Sequence, residues 1–423
     1  CVMGTFGNEF WNVADRPGYV PDQGVNFTEW LERTCELAHL SDPRGVIVYL
    51  PPRDYVIDTF LHARRMVRGA DRRFEMAYNT PDLWIRQNVT LWLAPGARLI
   101  IHPDMVVRID GPMRAELTHI FECRGTDSTS QRRGRVLFHS TKIAEVYPEW
   151  WGAIPTPDDQ LRGLSEAAWD DTDALVDCIR AAHTDRAFPN GNTMPPIPIV
   201  PRGKYLIRRE IEVSARGTQL PPESERVDRG TIVFPETSGV VNGQGLVLLG
   251  RRGVGGANAG FSALVAARDF SPTFDDSGLA TMPKGRALLR MDGLHGSIID
   301  GVGFDGFMRA AVCMQITGNN ARSTVFRGCS FANAKRALAQ VGDYIILDTD
   351  PLAVVTTGIR FRPLHASVNG GHDLSGLRFE NCTFESNIGI PGALAENSDR
   401  MRGDIVTRAQ VMVRDMEREA ASG

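Results

Sequence analysis

Three six-residue segments in the C-terminal half of the chain align without gaps. They are residues 299–304 (IDGVGF), 326–331 (FRGCSF) and 379–384 (FENCTF). Each reads apolar, charged, Gly or Asn, apolar, small, apolar. The first two segments end 27 residues apart, and the second and third end 53 residues apart, which fits either two turns of a repeat or one turn with a long loop. Periods of this length are typical of chains whose successive turns stack on their neighbours.

The third position of each segment is a bend residue. Gly301, Gly328 and Asn381 adopt a left-handed backbone conformation at little steric cost. One strand ends at the bend and the next begins with alternate side chains turned inward. The leucine-rich repeat signature is absent. The pattern therefore predicts an all-β fold, a single-stranded right-handed parallel β-helix whose inner side chains stack from turn to turn.

Two stretches of the chain repeat one layout. Residues 27–40 form a helical pattern that leads into a strand, a tight turn and Tyr55, and residues 172–183 lead in the same way to Tyr205. An amphipathic helix placed before a strand can cover the open end of a stack of strands. The sequence predicts a capping helix for the β-helix and an N-terminal α+β module.

Composition excludes several classes of function. The net charge of −4 lacks the basic excess of nucleic-acid-binding proteins, so no nucleic-acid partner is expected. No apolar run approaches the roughly 18 residues of a transmembrane segment. The seven cysteines contain no CxxC motif, so neither a zinc site nor a thioredoxin-type motif is supported. No metal and no cofactor are expected. A chain beginning at Cys1 is expected to be processed or part of a longer protein, and a mature lipoprotein would begin in the same way.

A second set of motifs resembles a known superfamily. The stretch 146–153 (VYPEWWGA) is followed by Asp170-Asp-Thr-Asp-Ala-Leu175 and by residues 200–207 (VPRGKYLI). Together they resemble the entry segment of the pectate-lyase-like superfamily, in the branch of phage tailspikes and bacterial surface or secreted β-helix proteins. The stretch between the two motifs is longer here than in that family. The resemblance implies the β-helix fold and a role facing saccharides, without deciding between catalysis, binding and a structural shaft.

These observations predict three regions. Residues 1–145 form the N-terminal helix and strand module, a lead-in to the β-helix. Residues 146–395 form the right-handed parallel β-helix, entered through the PEWWGA and DDT segments. Residues 396–423 form a charged, helix-prone tail or linker.

Two motifs with chemical potential have simpler structural explanations. The acidic cluster of residues 170–173 is a candidate metal or acid–base site, but Asp and Thr at a helix start also accept hydrogen bonds from free N–H groups, which we favour. Trp150 and Trp151 are candidates for stacking on sugar rings. We favour a buried aromatic plug, because the pair lies inside the structural motif.

Acidic residues flank the repeated bends. Asp300 and Glu380, with Asp305 and Glu385 after the bend, are expected to form an outward column with Arg327. Glycoside hydrolysis requires a pair of carboxylates roughly 5–10 Å apart. A column of mixed charge is also ordinary for the surface of a stacked fold, and we favour that interpretation.

A basic and amide column is the predicted substrate-binding surface. The first strand of each turn is expected at residues 289–292, 312–316 and 359–362. Its outward residues are Arg290, Asp292, Gln315, Arg360 and Arg362. Arginine side chains hold carboxylates or sulfates in two-point contacts, which predicts a groove for an acidic polysaccharide. A solvated strand face is the alternative, and no catalytic residue is predicted.

Cys329 and Cys382 occupy equivalent inward positions. If their turns are adjacent, their Cα atoms fall within the roughly 4.4–6.8 Å that a disulfide accepts. Two stacked buried thiols are the alternative, which we favour.

Two functions follow from these observations. The first is an extracellular, cell-surface or virion protein that binds a polysaccharide or surface glycan, or that forms a rigid spike. The second is a lyase or glycoside hydrolase acting on an acidic surface glycan. The resemblance also implies a homo-oligomer, with a trimer as the usual assembly of such spikes.

Overall fold

The structure is a computed structural model, and it describes part of the chain. The described residues are 9–16, 27–59, 66–68, 74–76, 82–103, 105–125, 133–138, 142–155, 170–183, 196–214, 232–233, 245–250, 262–267, 270, 287–292, 294, 296–306, 312–317, 323–332, 337–341, 344–347, 360–363 and 377–385. Strands in mainly parallel sheets dominate and helices are few, which places the protein in the all-β class. The predicted tail, residues 396–423, lies outside the described residues.

The chain divides into two compact units. The N-terminal unit comprises Cys1–Ala153 with Asp177–Ile197, and the C-terminal unit comprises Ile154–Val176 with Pro198–Gly423. The first division falls after Ala153, at the end of the PEWWGA motif, whereas the sequence placed the boundary before that motif.

The N-terminal unit contains helix α1 (Phe27–Ser41), a 3-10 turn at Val13–Asp15 and another at Pro148–Trp151. Its strands are β1 (Glu9–Asn12), β2 (Val46–Leu50), β3 (Asp54–Ile57), β4 (Met66–Arg68), β5 (Phe74–Met76), β6 (Leu83–Ile85), β7 (Val89–Leu93), β8 (Arg98–Ile101), β9 (Val106–Ile109), β10 (Met113–Arg114), β11 (Phe121–Cys123) and β12 (Arg135–Phe138).

Three parallel sheets organise this unit. Sheet A has the order β1-β2-β7-β10, sheet B the order β11-β8-β3 and sheet C the order β12-β9-β6, while β4 and β5 form a separate antiparallel pair. Leaving aside the β4–β5 pair, the successive strands from β2 to β12 belong to sheets A, B and C in that order, and this order occurs three times. The unit thus contains the helix and strands that the sequence predicted, with parallel strands predominant and inward apolar residues recurring along them.

The C-terminal unit contains the first turn of helix α2 (Thr172–His183), whose later residues belong to the N-terminal unit. Its strands are β13 (Lys204–Ile207), β14 (Ile211–Ser214), β15 (Ile232–Val233), β16 (Val247–Leu249), β17 (Ser262–Ala266), β18 (Ala287–Asp292), β19 (Ile298–Asp300), β20 (Val302–Asp305), β21 (Val312–Thr317), β22 (Val325–Arg327), β23 (Ser330–Ala332), β24 (Ala337–Val341), β25 (Tyr344–Leu347), β26 (Arg360–Pro363), β27 (Arg378–Glu380) and β28 (Thr383–Glu385).

Three sheets recur in this unit as well. Sheet D has the order β13-β17-β20-β23-β28, sheet E the order β15-β14-β18-β21-β24-β25-β26, and sheet F the order β16-β19-β22-β27. From β17 to β24 the successive strands belong to sheets D, E and F in a repeating order. All pairings in sheets D and F are parallel, whereas β25 and β26 pair in antiparallel fashion at the end of sheet E.

The three aligned sequence segments are neighbours in register. Phe326 pairs with Ile299 on one side and with Phe379 on the other, and Phe331 pairs in the same way with Phe304 and Phe384. The interval of 53 residues is thus one turn that carries an antiparallel excursion, β25 and β26, between β24 and β27.

The bend residues have the predicted backbone conformation. The φ angles are +66° at Gly301, +57° at Gly328 and +54° at Asn381. After each bend an apolar residue turns inward, and Val302, Cys329 and Cys382 are all buried. The prediction of a left-handed bend between two strands is confirmed at all three positions.

Aromatic rings stack in the core of the C-terminal unit. The rings of Phe304 and Phe331 are 5.3 Å apart and nearly parallel, and those of Phe326 and Phe379 are 5.0 Å apart in a similar arrangement. Such columns follow from parallel in-register pairing, which places equivalent side chains about 4.8 Å apart from strand to strand.

The duplicated helix–strand–tyrosine layout is present in both copies. Thr28 of α1 accepts hydrogen bonds from the backbone N–H groups of Asp58 and Thr59, and Thr172 of α2 accepts one from Arg208. Tyr55 and Tyr205 are fully buried. Each helix start is therefore tied to the end of the strand that contains its tyrosine.

Candidate functional site

The predicted column begins with Arg290 on β18 and Gln315 on β21, which are direct neighbours in sheet E. Both alternate with core residues such as Met291 and Met314, so they lie on the face away from the core. Their side chains are only 6% and 5% exposed, and each has a further interaction within the chain. Both residues are therefore covered in this structure, whereas the sequence predicted that they line an open groove.

The remaining members of the column are separated from that pair. Asp292 ends β18 opposite Ser214 and Thr317. Arg360 and Arg362 lie on β26, and Arg362 pairs with Ile345 of β25. The side chains of these three predicted residues lie outside the described part of the structure.

The strand that follows β21 in sheet E is β24, not the predicted 359–362 segment. The antiparallel strand β25 lies between β24 and β26, so β26 is three strand positions, roughly 14 Å, from β21. The assignment of residues 359–362 to the next first strand is corrected for this reason. Arg360 and Arg362 do not continue a direct ladder from Gln315.

The acidic column is present on sheet F as a ladder of alternating charge. Arg327 lies between Asp300 and Glu380 in register. Its guanidinium is 3.0 Å from the carboxylate of Glu380 and 3.6 Å from that of Asp300. Hydrogen bonding to Glu380 raises the pKa of Arg327. The two carboxylates thus share a fixed cation instead of facing each other as an acid–base pair.

Asp305 and Glu385 lie on a different sheet. Asp305 and Glu385 both pair with Ala332 in sheet D, on opposite sides of it, so they are two strands apart. The single outward column that the sequence predicted is therefore divided between sheets F and D, because the bend at residue 301, 328 or 381 turns the chain from one sheet to the next.

Sheet B carries a second charge ladder that sequence reasoning missed. Arg98 on β8 binds Asp54 with two hydrogen bonds of 2.9 and 3.0 Å, and it also contacts Glu122 at 2.9 Å. The hydrogen bonds from Arg98 lower the pKa of Asp54. A general acid needs a pKa raised toward neutrality, so this arrangement does not suit that role.

The acidic cluster at the start of α2 is structural, as favoured from the sequence. Asp170 accepts a hydrogen bond from the backbone N–H of Thr172 at 3.0 Å. The two carboxylate oxygens of buried Asp171 accept from the N–H groups of Ile154 and Leu206, each at 2.9 Å. These contacts begin the helix and fasten two flanking chain segments to it.

The tryptophan pair is the predicted aromatic plug. Trp150 and Trp151 are both buried. The ring of Trp151 lies 5.2 Å from Phe121 and 6.2 Å from Phe138, and Trp150 donates its ring N–H to the carbonyl of Glu116 at 3.1 Å. Both rings therefore serve the core of the N-terminal unit, not a sugar-stacking surface.

The outer face of sheet A presents a cluster of three aromatic rings. Tyr49 on β2 and Trp92 on β7 are direct neighbours, with ring centroids 5.3 Å apart. Phe10 on edge strand β1 lies 5.6 Å from the Tyr49 ring and 6.0 Å from the Trp92 ring. Phe10 is 52% exposed, while Tyr49 and Trp92 are half-buried. We call Phe10, Tyr49 and Trp92 the aromatic face.

A cation adjoins the aromatic face. Arg114 on β10 pairs with Trp92 in register, is exposed, and places its guanidinium carbon 6.0 Å from the Trp92 ring centroid. Asn12 pairs with Tyr49 at the other end. One outward row across four strands therefore runs from an amide through two aromatic rings to a guanidinium.

A sequence signal for the aromatic face exists. In Val46-Ile-Val-Tyr-Leu50 and Val89-Thr-Leu-Trp-Leu93 the inward positions are Val or Leu, which places Tyr49 and Trp92 outward. Their contact depends on the register between β2 and β7, which alternation within one strand does not give.

Comparison with known protein families, with curated proteins and with solved structures gave no match. None of the helices in the described ranges is long and apolar enough to cross a membrane. Among the described residues no group of three or more His, Cys, Asp or Glu side chains could hold a metal ion.

Proposed function

We propose that this chain is a surface or virion β-helix protein that binds polysaccharide through the aromatic face of sheet A. The finer fold within the all-β class is, in this proposal, the single-stranded right-handed parallel β-helix of the pectate-lyase-like superfamily. In each unit successive strands belong to three mainly parallel sheets in a repeating order, which supports that fold. The resemblance of residues 146–207 supports the superfamily.

The aromatic face is the observation that carries the binding function. Exposed clusters of large aromatic side chains are uncommon on a protein surface that contacts only water, and they mark interaction sites. The rings are carried by adjacent hydrogen-bonded strands, so their positions are set by the sheet and not by a loop. A rigid row of rings suits the apolar faces of sugars, and the neighbouring Asn12 and Arg114 offer hydrogen bonds to hydroxyl groups.

Location and assembly belong to the same proposal. A polysaccharide ligand implies an extracellular, cell-surface or virion setting, and the resemblance to spike proteins favours a homo-oligomer. The charge ladders on sheets B and F leave the outer faces of these strands polar, which suits a shaft exposed to water.

Binding to a panel of acidic and neutral bacterial polysaccharides tests the proposal. We expect at least one member of the panel to bind the intact chain, and Trp92→Ala to weaken that binding about tenfold, as for a central aromatic contact. Ile298→Ala is the matched control, because Ile298 is an exposed apolar residue on sheet F, 41% exposed. Equal binding by the wild type and Trp92→Ala would exclude the aromatic face as the site.

The same panel distinguishes the enzymatic alternative. Release of reducing ends, or of unsaturated sugars detected by ultraviolet absorbance, would show a polysaccharide-degrading enzyme. Binding without either product supports the non-catalytic function. Absence of binding by every member of the panel would contradict the proposed function and leave a purely structural shaft as the better explanation.

A further inference from the structure

Cys329 and Cys382 lie opposite each other on successive turns of the C-terminal unit. The residues that flank them are paired: Arg327 with Glu380 before the bend, and Ser330 with Thr383 after it. Both thiols are free and 1% exposed, and their side chains hydrogen-bond to each other.

The backbone holds both sulfur atoms in the same orientation. The sulfur of Cys329 lies 3.3 Å from the carbonyl oxygen of Ile299, and that of Cys382 lies 3.5 Å from the carbonyl oxygen of Phe326. Neighbouring parallel strands are about 4.8 Å apart, which lies inside the Cα separation of 4.4–6.8 Å found in disulfides. Formation of a bond between the two sulfur atoms therefore requires side-chain rotation and no large movement of the backbone.

We propose that Cys329 and Cys382 are an oxidation site, at which a small disulfide such as oxidised glutathione converts the thiol pair into an intramolecular disulfide that joins two successive turns. The bond links strands that are adjacent in space but 53 residues apart in the sequence. This modification is independent of the aromatic face, which lies in the N-terminal unit.

The exchange proceeds in two balanced steps. The thiolate of Cys382 attacks one sulfur of oxidised glutathione and releases one glutathione thiolate. The thiolate of Cys329 then attacks the Cys382 sulfur and releases the second. The protein loses two protons and two electrons, and oxidised glutathione becomes two molecules of reduced glutathione.

The environment of the pair favours this order. The hydrogen bond from Cys329 lowers the pKa of Cys382, whereas burial raises the pKa of Cys329. Burial raises the pKa of another core thiol, Cys313, to about 12. Among these three thiols, Cys382 has the highest fraction of the reactive thiolate near neutral pH.

Access to the pair requires a local opening. Cys382 lies between β27 and β28, which are the last strands of sheets F and D in the described part of the chain. Strands paired on one side open at lower free energy than strands paired on both sides. Oxidation is thus expected in the folded protein, at a rate set by fraying of this turn.

Peptide mapping after incubation in glutathione buffers tests the proposal on the intact chain. Remaining thiols are blocked with N-ethylmaleimide before tryptic digestion without reductant. The expected product joins residues 328–335 to residues 379–400, each of which contains one cysteine, and it disappears after treatment with dithiothreitol. The oxidised protein is also expected to unfold thermally at a midpoint raised by about 5 °C, because a long loop is closed.

Two variants complete the experiment. Cys382→Ala is expected to abolish the linked peptide, and Cys313→Ala, which removes a different buried thiol, is expected to leave it unchanged. If Cys382→Ala does not fold, mapping of the wild type still decides the outcome. Recovery of Cys329 and Cys382 as maleimide adducts, or of either joined to another cysteine, would overturn the proposal.

Discussion

Glu32 of α1 is a carboxylate placed against the edge of a sheet. It accepts a hydrogen bond from the backbone N–H of Trp84 on β6, the edge strand of sheet C, and lies 3.8 Å from Arg86. Burial raises its pKa from 4.5 to about 7. The carboxylate that accepts a hydrogen bond from this edge strand is therefore also a group whose charge changes near neutral pH.

We predict that Glu32→Gln reduces the dependence of stability on pH. Between about pH 4.5 and 7 the folded state keeps the Glu32 proton and the unfolded state does not, so the free energy of unfolding falls as pH rises through this window. The rise in pKa corresponds to at most about 3 kcal/mol. Glutamine still accepts from Trp84 but does not titrate. Urea unfolding at pH 5 and pH 8 should show a smaller decrease for the variant, and an equal decrease would contradict this assignment.

A second prediction concerns the bend residues. Gly328→Ala places a side chain at φ +57°, which should cost about 1 kcal/mol of stability. Asn381→Gly, at φ +54°, is the control and should change stability little, because both residues accept this conformation. Urea unfolding of both variants measures the difference. An Ala variant as stable as the wild type would show that the bend can relax.

The residue type at a bend could be predicted because the left-handed conformation limits the choice of residue. Burial of Arg290 and Gln315 could not be predicted in the same way. Alternation along a strand shows which face a side chain occupies, but it does not show what covers that face. For the same reason the sequence placed Arg290 and Gln315 on the outward face of sheet E and misjudged their exposure.

At the scale of elements, the start of α2 is fastened by one side chain. Asp171 accepts hydrogen bonds from the N–H groups of Ile154 and Leu206 with its two carboxylate oxygens. Residue 154 follows the PEWWGA motif, and residue 206 lies on β13. The helix, the incoming chain and the first strand of sheet D are therefore positioned by a single buried acid.

We predict that Asp171→Ala destabilises the protein by about 2–4 kcal/mol, because two buried N–H groups lose their acceptors. Asp173→Ala is the matched control in the same helical turn. Asp173 pairs with Arg209, and both side chains are partly exposed, so its loss should cost less than about 1 kcal/mol. Thermal and urea unfolding of the two variants would show this contrast, and similar losses would argue against the fastening role of Asp171.

The antiparallel excursion is the element that sequence reasoning could not place. The spacing of 53 residues allowed either two turns or one turn with an insertion, because the excursion itself carries no repeat. Strands β25 and β26 extend sheet E beyond β24, and the chain then returns to β27 in the established register. Repeated segments show which strands are neighbours, whereas an insertion between them has no repeated pattern by which it could be recognised.

At the scale of the molecule, protection from hydrogen exchange should follow position within a sheet. Among the described strands of sheet A, β7 is paired on both sides and β1 on one side. We predict that amides of β1 exchange at least about tenfold faster than those of β7, because an edge strand opens locally. Mass spectrometry of peptides covering residues 9–12 and 89–93 measures both rates. Equal protection would indicate that another part of the protein, or a second copy, covers β1.

The bend between adjoining strands also constrains how such a protein can change length during evolution. A single residue inserted between Gly328 and Phe331 would reverse the inward and outward faces of β23 and place polar side chains in the core. An insertion within the connection from sheet E to sheet F leaves those faces unchanged, as the interval between residues 341 and 378 illustrates. Relatives of this protein should therefore gain and lose sequence mainly in the connections between sheets, and variation in length should be rare within the six residues around each bend.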